Sequence, residues 1–377
     1  MDMRIFQTVP DERIKSGECT DIYFQRTEKI LRASGKNPRV AMEVTASALP
    51  DDCGIFCGLD DVVSLLEGLP VSMDALPEGS VFCPNEPVMR ICGNYLDFGH
   101  FETAILGFLC HASGIASAAA HIRRISGDVP VYSFGSRRQH PAIAGMVERS
   151  AWIGGVDGVS NTCAPAGIPL AGTMPHSFVM CYQTPGDAFS AFDRYAPREV
   201  PRIMLCDTYC DEKRESLTGA QHGASAVRLD TPRSRRGDMR AIIEEVRWEL
   251  DSAGYKDTGI FLSGGVTRED VVRYRDIVDA FGIGGAIANA PVIDFAMDIV
   301  EMDGQGCAKR GKRSGAKQVW QMPGGMRVVA PLASPAPEGG VPLLVPFIRN
   351  GAVISRPQMS DARDRVLSWL AGPGCGQ

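Results

Sequence analysis

Residues 226–265 read AVRLDTPRSRRGDMRAIIEEVRWELDSAGYKDTGIFLSGG. Ala226–Leu229 is a short apolar run of strand length, and a polar loop follows it. From Asp238 to Ala253 the apolar residues Ile242, Ile243, Val246 and Leu250 recur at helical spacing, with Asp238 able to cap the start and Gly254 just past the end. Gly259–Leu262 is a second apolar run, and it stops at Ser263-Gly264-Gly265. Strand, amphipathic helix and strand make a βαβ unit, whose two strands run parallel because the helix returns the chain to its starting end.

The same rhythm extends outward from about His111 to Ile287. Further strands are predicted at Val129–Phe134, Gly158–Asn161, Ile168–Gly172, Arg202–Cys206 and Phe281–Ile287. Helices are expected at Gly114–Ile125, Pro141–Trp152, Asp187–Tyr195, Glu212–Gln221 and Arg268–Asp279. Seven strand candidates, with no G-x-G-x-x-G after the first, favour a closed or incomplete parallel β/α barrel over an open nucleotide-binding sheet. The fold class is therefore α/β, with the barrel spanning 113–289. Residues 1–112 and 290–377 lack the alternation and carry short strand-like runs at Gln318–Trp320, Arg327–Val329 and Leu343–Phe347. They are expected to form one α+β sandwich domain from both chain ends.

Composition narrows the function. The 377 residues carry 39 Lys plus Arg against 45 Asp plus Glu, a net charge of −6 that disfavours a general nucleic-acid or anionic-membrane binder. The opening Met1-Asp2-Met3-Arg4-Ile5-Phe6 predicts neither a signal nor a transit peptide, hence a cytoplasmic protein. The nearest thing to a membrane run is Ile105–Leu109, interrupted by Gly107. Twelve cysteines include no C-x-x-C, so they are expected to be reduced and mostly buried, and zincin, Walker, EF-hand and G-x-S-x-G motifs are absent.

Barrel chemistry sits where strands end, and these ends are polar. The first is followed by Gly135-Ser136-Arg137-Arg138 and the second ends at Ser160-Asn161. The third leads into Thr173-Met174-Pro175-His176-Ser177, and the next into Asp207-Thr208-Tyr209. Arg228 and Asp230 flank Leu229 at strand spacing and so point to one side; a buried arginine there needs Asp230 or an anionic ligand. Ser263-Gly264-Gly265, followed by a helix start, and Gly282-Ile283-Gly284-Gly285 form two glycine turns suited to phosphate. Of six histidines only His176 lies in a strand-end loop of small and hydroxyl residues. In Arg228–Asp238 four arginines fall in nine residues, read as a solvated loop apart from Arg228.

Taken together, the motifs S-F-G-S-R-R-Q-H-P (133–141), G-V-D-G-V-S-N (155–161), G-T-M-P-H-S-F (172–178), D-T-Y (207–209), R-L-D (228–230) and S-G-G (263–265), with T-D-I-Y-F-Q-R-T (20–27), resemble a nicotinate phosphoribosyltransferase of the shorter kind familiar from archaea. The resemblance implies formation of nicotinate mononucleotide and pyrophosphate from nicotinate and phosphoribosyl pyrophosphate, with Mg²⁺ and with ATP as co-substrate. It assigns His176 to the histidine transiently phosphorylated by ATP, Arg228 to the pyridine carboxylate, Asp230 to the ribose and Asp207 to the D-T-Y acid. Ser263, Gly264, Gly265, Gly282, Gly284 and Gly285 match the 5′-phosphate loops. Phe134, Arg137, Arg138 and Thr173 lie in the matched substrate motifs, and Tyr23 matches a tyrosine stacking on the base across a homodimer. Neutral Ser160 stands where nicotinamide-specific relatives carry an acid, favouring nicotinate.

Two features depart from the pattern. The tail has only Cys307 and Cys375 where relatives can carry a zinc knuckle, so no zinc is expected. The basic run Ala308–Lys317 reads equally as a solvated surface or as a contact to a partner subunit's phosphates. Competing readings are a quinolinate phosphoribosyltransferase, which needs more cations around a dianionic base, and a catalytically silent metabolite binder on the same scaffold. A barrel aldolase or isomerase would want a lysine or glutamate base at a strand end, and lysine is absent from those ends.

Overall fold

A computed structural model describes residues 6–235 and 237–372, so Met1–Ile5, Arg236 and Cys375 of the sequence reading lie outside the described residues. The chain divides into two compact units: one runs to Ser117 and resumes at Pro291, the other is Ala118–Ala290.

The second unit is built on six strands, β1 (Val131–Ser133), β2 (Gly158–Val159), β3 (Ile203–Leu205), β4 (Ala226–Leu229), β5 (Gly259–Leu262) and β6 (Ala280–Ile283). They pair in the order β2-β1-β6-β5-β4-β3, every pair parallel. Between β4 and β5 the helix Met239–Ser252 turns Met239, Ile243, Val246 and Leu250 inward at 4-3-4 spacing, and the Asp238 side chain accepts the Arg240 N–H. Ile260, Phe261 and Leu262 of β5 are buried, so the unit read from residues 226–265 folds as its pattern demands.

The sheet is an incomplete barrel, and the predicted strand Ile168–Gly172 is where it fails to close. That segment makes one parallel bridge, Leu170 to Val159, and no strand. Pro169 has no N–H to donate, so the ladder ends after two hydrogen bonds around Val159. Three other expectations change. The run Phe281–Ile287 bends after Ile283 into the short helix Gly285–Ala288, and the loop holding His176 starts a helix, His176–Cys181, with Pro175 as its cap. The helix expected to Asp279 stops at Tyr274.

In the first unit a seven-stranded antiparallel sheet includes Arg39–Ala46, flanked by the central strand Pro87–Asn94 and by Phe295–Met302 from the far end of the chain. Phe56, Leu59, Val62, Leu66, Phe82 and Ile91 form its core. Helix Tyr95–Ser126 corrects the membrane reading: by length and composition it could cross a membrane, although 61% of its most apolar window is buried within the fold. The cysteine expectation is also corrected. All eleven described cysteines carry free thiols, but only Cys53, Cys57 and Cys206 are fully buried.

Most of the basic run is exposed, Arg310 and Arg313 included, as the solvated reading expects, but three of its lysines are held by acids. Lys309 and Lys312 pair with Asp298 at 2.6 and 3.2 Å, and Lys317 meets Glu43 at 2.9 Å. Glu43 is 1% exposed and also accepts the Lys317 N–H at 2.6 Å, while Arg90 donates to the Lys317 carbonyl at 2.5 Å. Burial pushes the Glu43 carboxyl up and Lys317 pulls it back. Lys317→Met is expected to cost about 3–5 kcal/mol in urea unfolding, because it strands a buried carboxyl, whereas Glu43→Gln with Lys317→Met should recover most of the loss. An unchanged midpoint in the single variant would mean the pair adds nothing to the fold.

Candidate functional site

Strands β1, β2, β4, β5 and β6 deliver their C-terminal ends to one cavity of about 890 Å³. Phe134, Arg137, Arg138, Ser160, Thr173, Arg228, Asp230, Ser263, Gly264, Gly265, Gly282, Gly284 and Gly285 all line it, so the residues the sequence placed at strand ends come together. Tyr23 belongs to the other unit, exposed, with its hydroxyl donating to Asp21 Oδ2 at 3.0 Å.

Arg228 alternates with buried Val227 and Leu229 on β4, which turns it into the cavity. Its Nη1 donates to Thr173 Oγ1 at 2.6 Å, and its Nη2 lies 3.7 Å from Asp230 Oδ2. The guanidinium carbon sits 6.0 Å from the centre of the Phe134 ring. Phe134 in turn stacks on Phe261, 5.8 Å between centroids at 13°. Gly282 is required beneath this ring: a Cβ there would lie 2.5 Å from Phe134. Burial draws the Arg228 pKa down against the pull of Asp230 and Asp207, and its Nε has no partner among the described residues. A buried donor left open beside an aromatic face asks for a flat anion.

Asp230 is held from β5, where Ser263 Oγ donates to its Oδ1 at 2.8 Å. The Ser263-Gly264-Gly265 turn exists because Gly264 and Gly265 adopt φ of +85° and +77°; at Gly264 a Cβ would also meet the Asp230 carbonyl at 2.5 Å. Two successive left-handed residues expose backbone N–H groups, the form of an anion nest. Arg233, read from sequence as part of a solvated loop, instead lines the cavity and pairs with Asp270, itself the capping-box partner of Thr267. The T-x-x-D spacing was the available signal for that anchor.

His176 and Asp207 stand beside these residues. His176 Nε2 is 3.4 Å from Asp230 Oδ2 and 3.9 Å from Asp207 Oδ1, while Nδ1 meets Thr208 Oγ1 at 3.2 Å. Asp207 is almost wholly buried; its Oδ2 accepts the Asp230 N–H at 2.9 Å and lies 3.1 Å from the Thr231 hydroxyl. Burial pushes its carboxyl up to about 6, with His176 pulling down and Asp230 pushing up. Its Oδ1 accepts no hydrogen bond among the described residues. Among those residues no group of three or more His, Cys, Asp or Glu is placed to hold a metal. One further acid was missed from sequence: Glu215, buried, bonds three N–H groups of the turn after β3.

Comparison with known proteins agrees with this geometry. Family models described as quinolinate phosphoribosyl transferase, N-terminal and C-terminal domains, match residues 21–113 and 115–298. A nicotinate phosphoribosyltransferase of Mycobacterium tuberculosis is 32% identical over 341 residues, covering 81% of this chain and 70% of the relative. A second from the same organism is 28% identical over 434 residues, covering 97% and 93%. Among solved structures, the nicotinate-nucleotide pyrophosphorylase of Pyrococcus furiosus is 46% identical with a TM-score of 0.95 over 98% of both chains. Human nicotinic acid phosphoribosyltransferase shares the fold, with a TM-score of 0.80 at 20% identity over 94% of each chain. The chain belongs to the type II phosphoribosyltransferases, the family of the nicotinate and quinolinate enzymes.

Proposed function

We propose that this protein makes nicotinate mononucleotide and pyrophosphate from nicotinate and phosphoribosyl pyrophosphate, coupled to ATP hydrolysis through His176. The observation that carries the reading is the convergence of Arg228, Asp230 and the Gly264-Gly265 turn on one cavity, with His176 in contact with Asp230. The pyridine ring would lie on Phe134, its carboxylate taken by the Arg228 fork, whose open Nε supplies a donor the fold leaves unused. The 5′-phosphate would sit against the two glycine turns, leaving the ribose near Asp230.

The pyridine nitrogen attacks ribose C1 as the bond to pyrophosphate breaks. Positive charge grows on the ribose, and the Asp230 carboxylate stabilises it there, while Arg137 and Arg138 face the negative charge accumulating on the leaving group. Mg²⁺ commonly binds one or two carboxylates plus substrate phosphates, and Asp230 with Asp207 Oδ1, which accepts no hydrogen bond among the described residues, fits that donor set. When bound, the ion would supply charge neutralisation for pyrophosphate. Neutral Ser160 in the cavity wall offers no acceptor charge for an amide, in keeping with an anionic base. Tyr23 would complete the ring stack from a second subunit, making the working unit a homodimer.

Incubation with phosphoribosyl pyrophosphate and Mg²⁺, offering nicotinate, nicotinamide and quinolinate in parallel with and without ATP, tests the reading. Nicotinate mononucleotide from nicotinate alone, with ADP formed only when ATP is present, is expected. Mononucleotide and carbon dioxide from quinolinate would assign the decarboxylating reaction named by the family models instead. No mononucleotide from any base would leave a metabolite-binding protein.

A further inference from the structure

The turn Asp207-Thr208-Tyr209-Cys210 carries an acid of the site and the hydroxyl that meets His176, yet it lies outside both strand and helix. Glu215, in the first turn of the helix Glu212–Gln221 and 1% exposed, closes on it from behind. Its Oε2 accepts the Thr208 N–H at 2.7 Å, and its Oε1 accepts the N–H groups of Tyr209 and Cys210 at 2.6 and 2.9 Å. The helix entry is fixed in turn by Asp211, whose side chain accepts the Arg214 N–H at 2.8 Å. Glu212 lies 2.6 Å from the Thr231 hydroxyl, which also contacts Asp207, so one helix end braces two neighbouring strand ends.

Three consecutive amides on one buried carboxylate form an anion nest filled by the protein's own side chain. Any buried carboxylate needs donors, and side-chain hydroxyls or a cation would serve equally. Here the donors belong to the turn that presents Thr208 to His176 Nδ1, at 3.2 Å. We propose that Glu215 is a positioning residue: by fixing the Thr208 backbone it holds the hydroxyl that pins Nδ1, and so keeps His176 Nε2 facing Asp230 and Asp207. The proposal deepens the reading of His176 as the ATP-coupled group and rests on it for its catalytic consequence, although the state of the ring can be read without any turnover.

The test uses full-length protein labelled with ¹⁵N-histidine, with His176 assigned by its loss in His176→Ala. Glu215→Gln keeps the shape but sets an amide NH₂ against one or two N–H donors, and Thr208→Val removes only the hydroxyl. Both folded variants are expected to shift the His176 ring nitrogen resonances toward a mixture of tautomers. Both should also lower the rate of phosphohistidine formation about tenfold, the cost of a sub-ångström misplacement, with the KM for nicotinate unchanged within about twofold. Glu215→Asp, which retains the charge but draws it back by a methylene, should fall between. His176 resonances identical to wild type in folded Glu215→Gln would overturn the proposal and leave Glu215 a helix-end brace. If Glu215→Gln does not fold, Thr208→Val decides, and unchanged ring signals there overturn it. Absence of phosphohistidine in the wild-type protein would remove the ATP coupling, while the ring spectra would still judge Glu215.

Discussion

Arg228→Ala is expected to lower kcat/KM for nicotinate about a thousandfold, the equivalent of about 4 kcal/mol, with little change in the KM for phosphoribosyl pyrophosphate. The size follows from where the side chain sits. Arg228 is largely buried, donates to Thr173 at 2.6 Å, lies beside Asp230 and keeps its Nε open. Truncation removes the carboxylate's partner, the donor to Thr173 and the cation beside Asp230. Arg228→Lys restores a charge but neither the planar fork nor the stack on Phe134, so it should regain only part of the loss. The diagnostic comparison is with nicotinamide: a residue that reads a carboxylate is worth little to a neutral amide, so the preference for nicotinate should collapse in the variant. Equal losses with both bases would mean that Arg228 acts on the phosphoribosyl group or on Asp230 instead.

Much of this site was legible because its chemistry is written as local sequence. Arg228 and Asp230 are two residues apart on a strand, and the period of two puts them on one face without any tertiary knowledge. Gly264 is legible for a similar reason: a strand that ends in two glycines before a helix start has few uses other than a turn with positive φ. What could not be read depends on contacts between distant segments. Glu215 looks like any first-turn acid of a helix, and only the folding back of residues 208–210 gives it a function. Arg233 sits among arginines, and nothing in the run itself distinguishes the one that reaches Asp270 from exposed Arg235.

The strand that failed shows the opposite limit. Ile168–Gly172 has the apolar content of its neighbours, but Pro169 lacks the donor that would extend its pairing with β2 beyond Val159. The result is an incomplete barrel: in the order β2-β1-β6-β5-β4-β3 this segment adds a single bridge beyond β2 and, among the described residues, reaches no strand on its other side. The chain that follows begins with Thr173 and His176, so these two arrive on a loop and a helix start rather than on a ladder. Their placement then depends on side-chain contacts, Thr173 with Arg228 and His176 with Thr208 and Asp230.

His176→Ala is expected to abolish ADP formation during turnover and the alkali-stable, acid-labile label from γ-³²P-ATP, while mononucleotide synthesis from nicotinate continues without ATP stimulation. Two carboxylates face the ring nitrogen, at 3.4 and 3.9 Å, and a phosphoryl group on that nitrogen would meet their negative charge at close range. Such repulsion is several times stronger near a buried Asp207 than in water, so a phosphoryl group there would be held in a state that favours its own hydrolysis. Burial, with Asp230 adding to it and His176 opposing it, lifts the Asp207 carboxyl to about 6, a cost that a fold selected only for stability would shed by placing an apolar or amide side chain there. Asp207→Asn is therefore expected to lengthen the lifetime of the label, measured by chase with unlabelled ATP. Label retained in His176→Ala would locate the phosphorylated group elsewhere, and label with an unaltered lifetime in Asp207→Asn would mean that its carboxylate plays no part in the release.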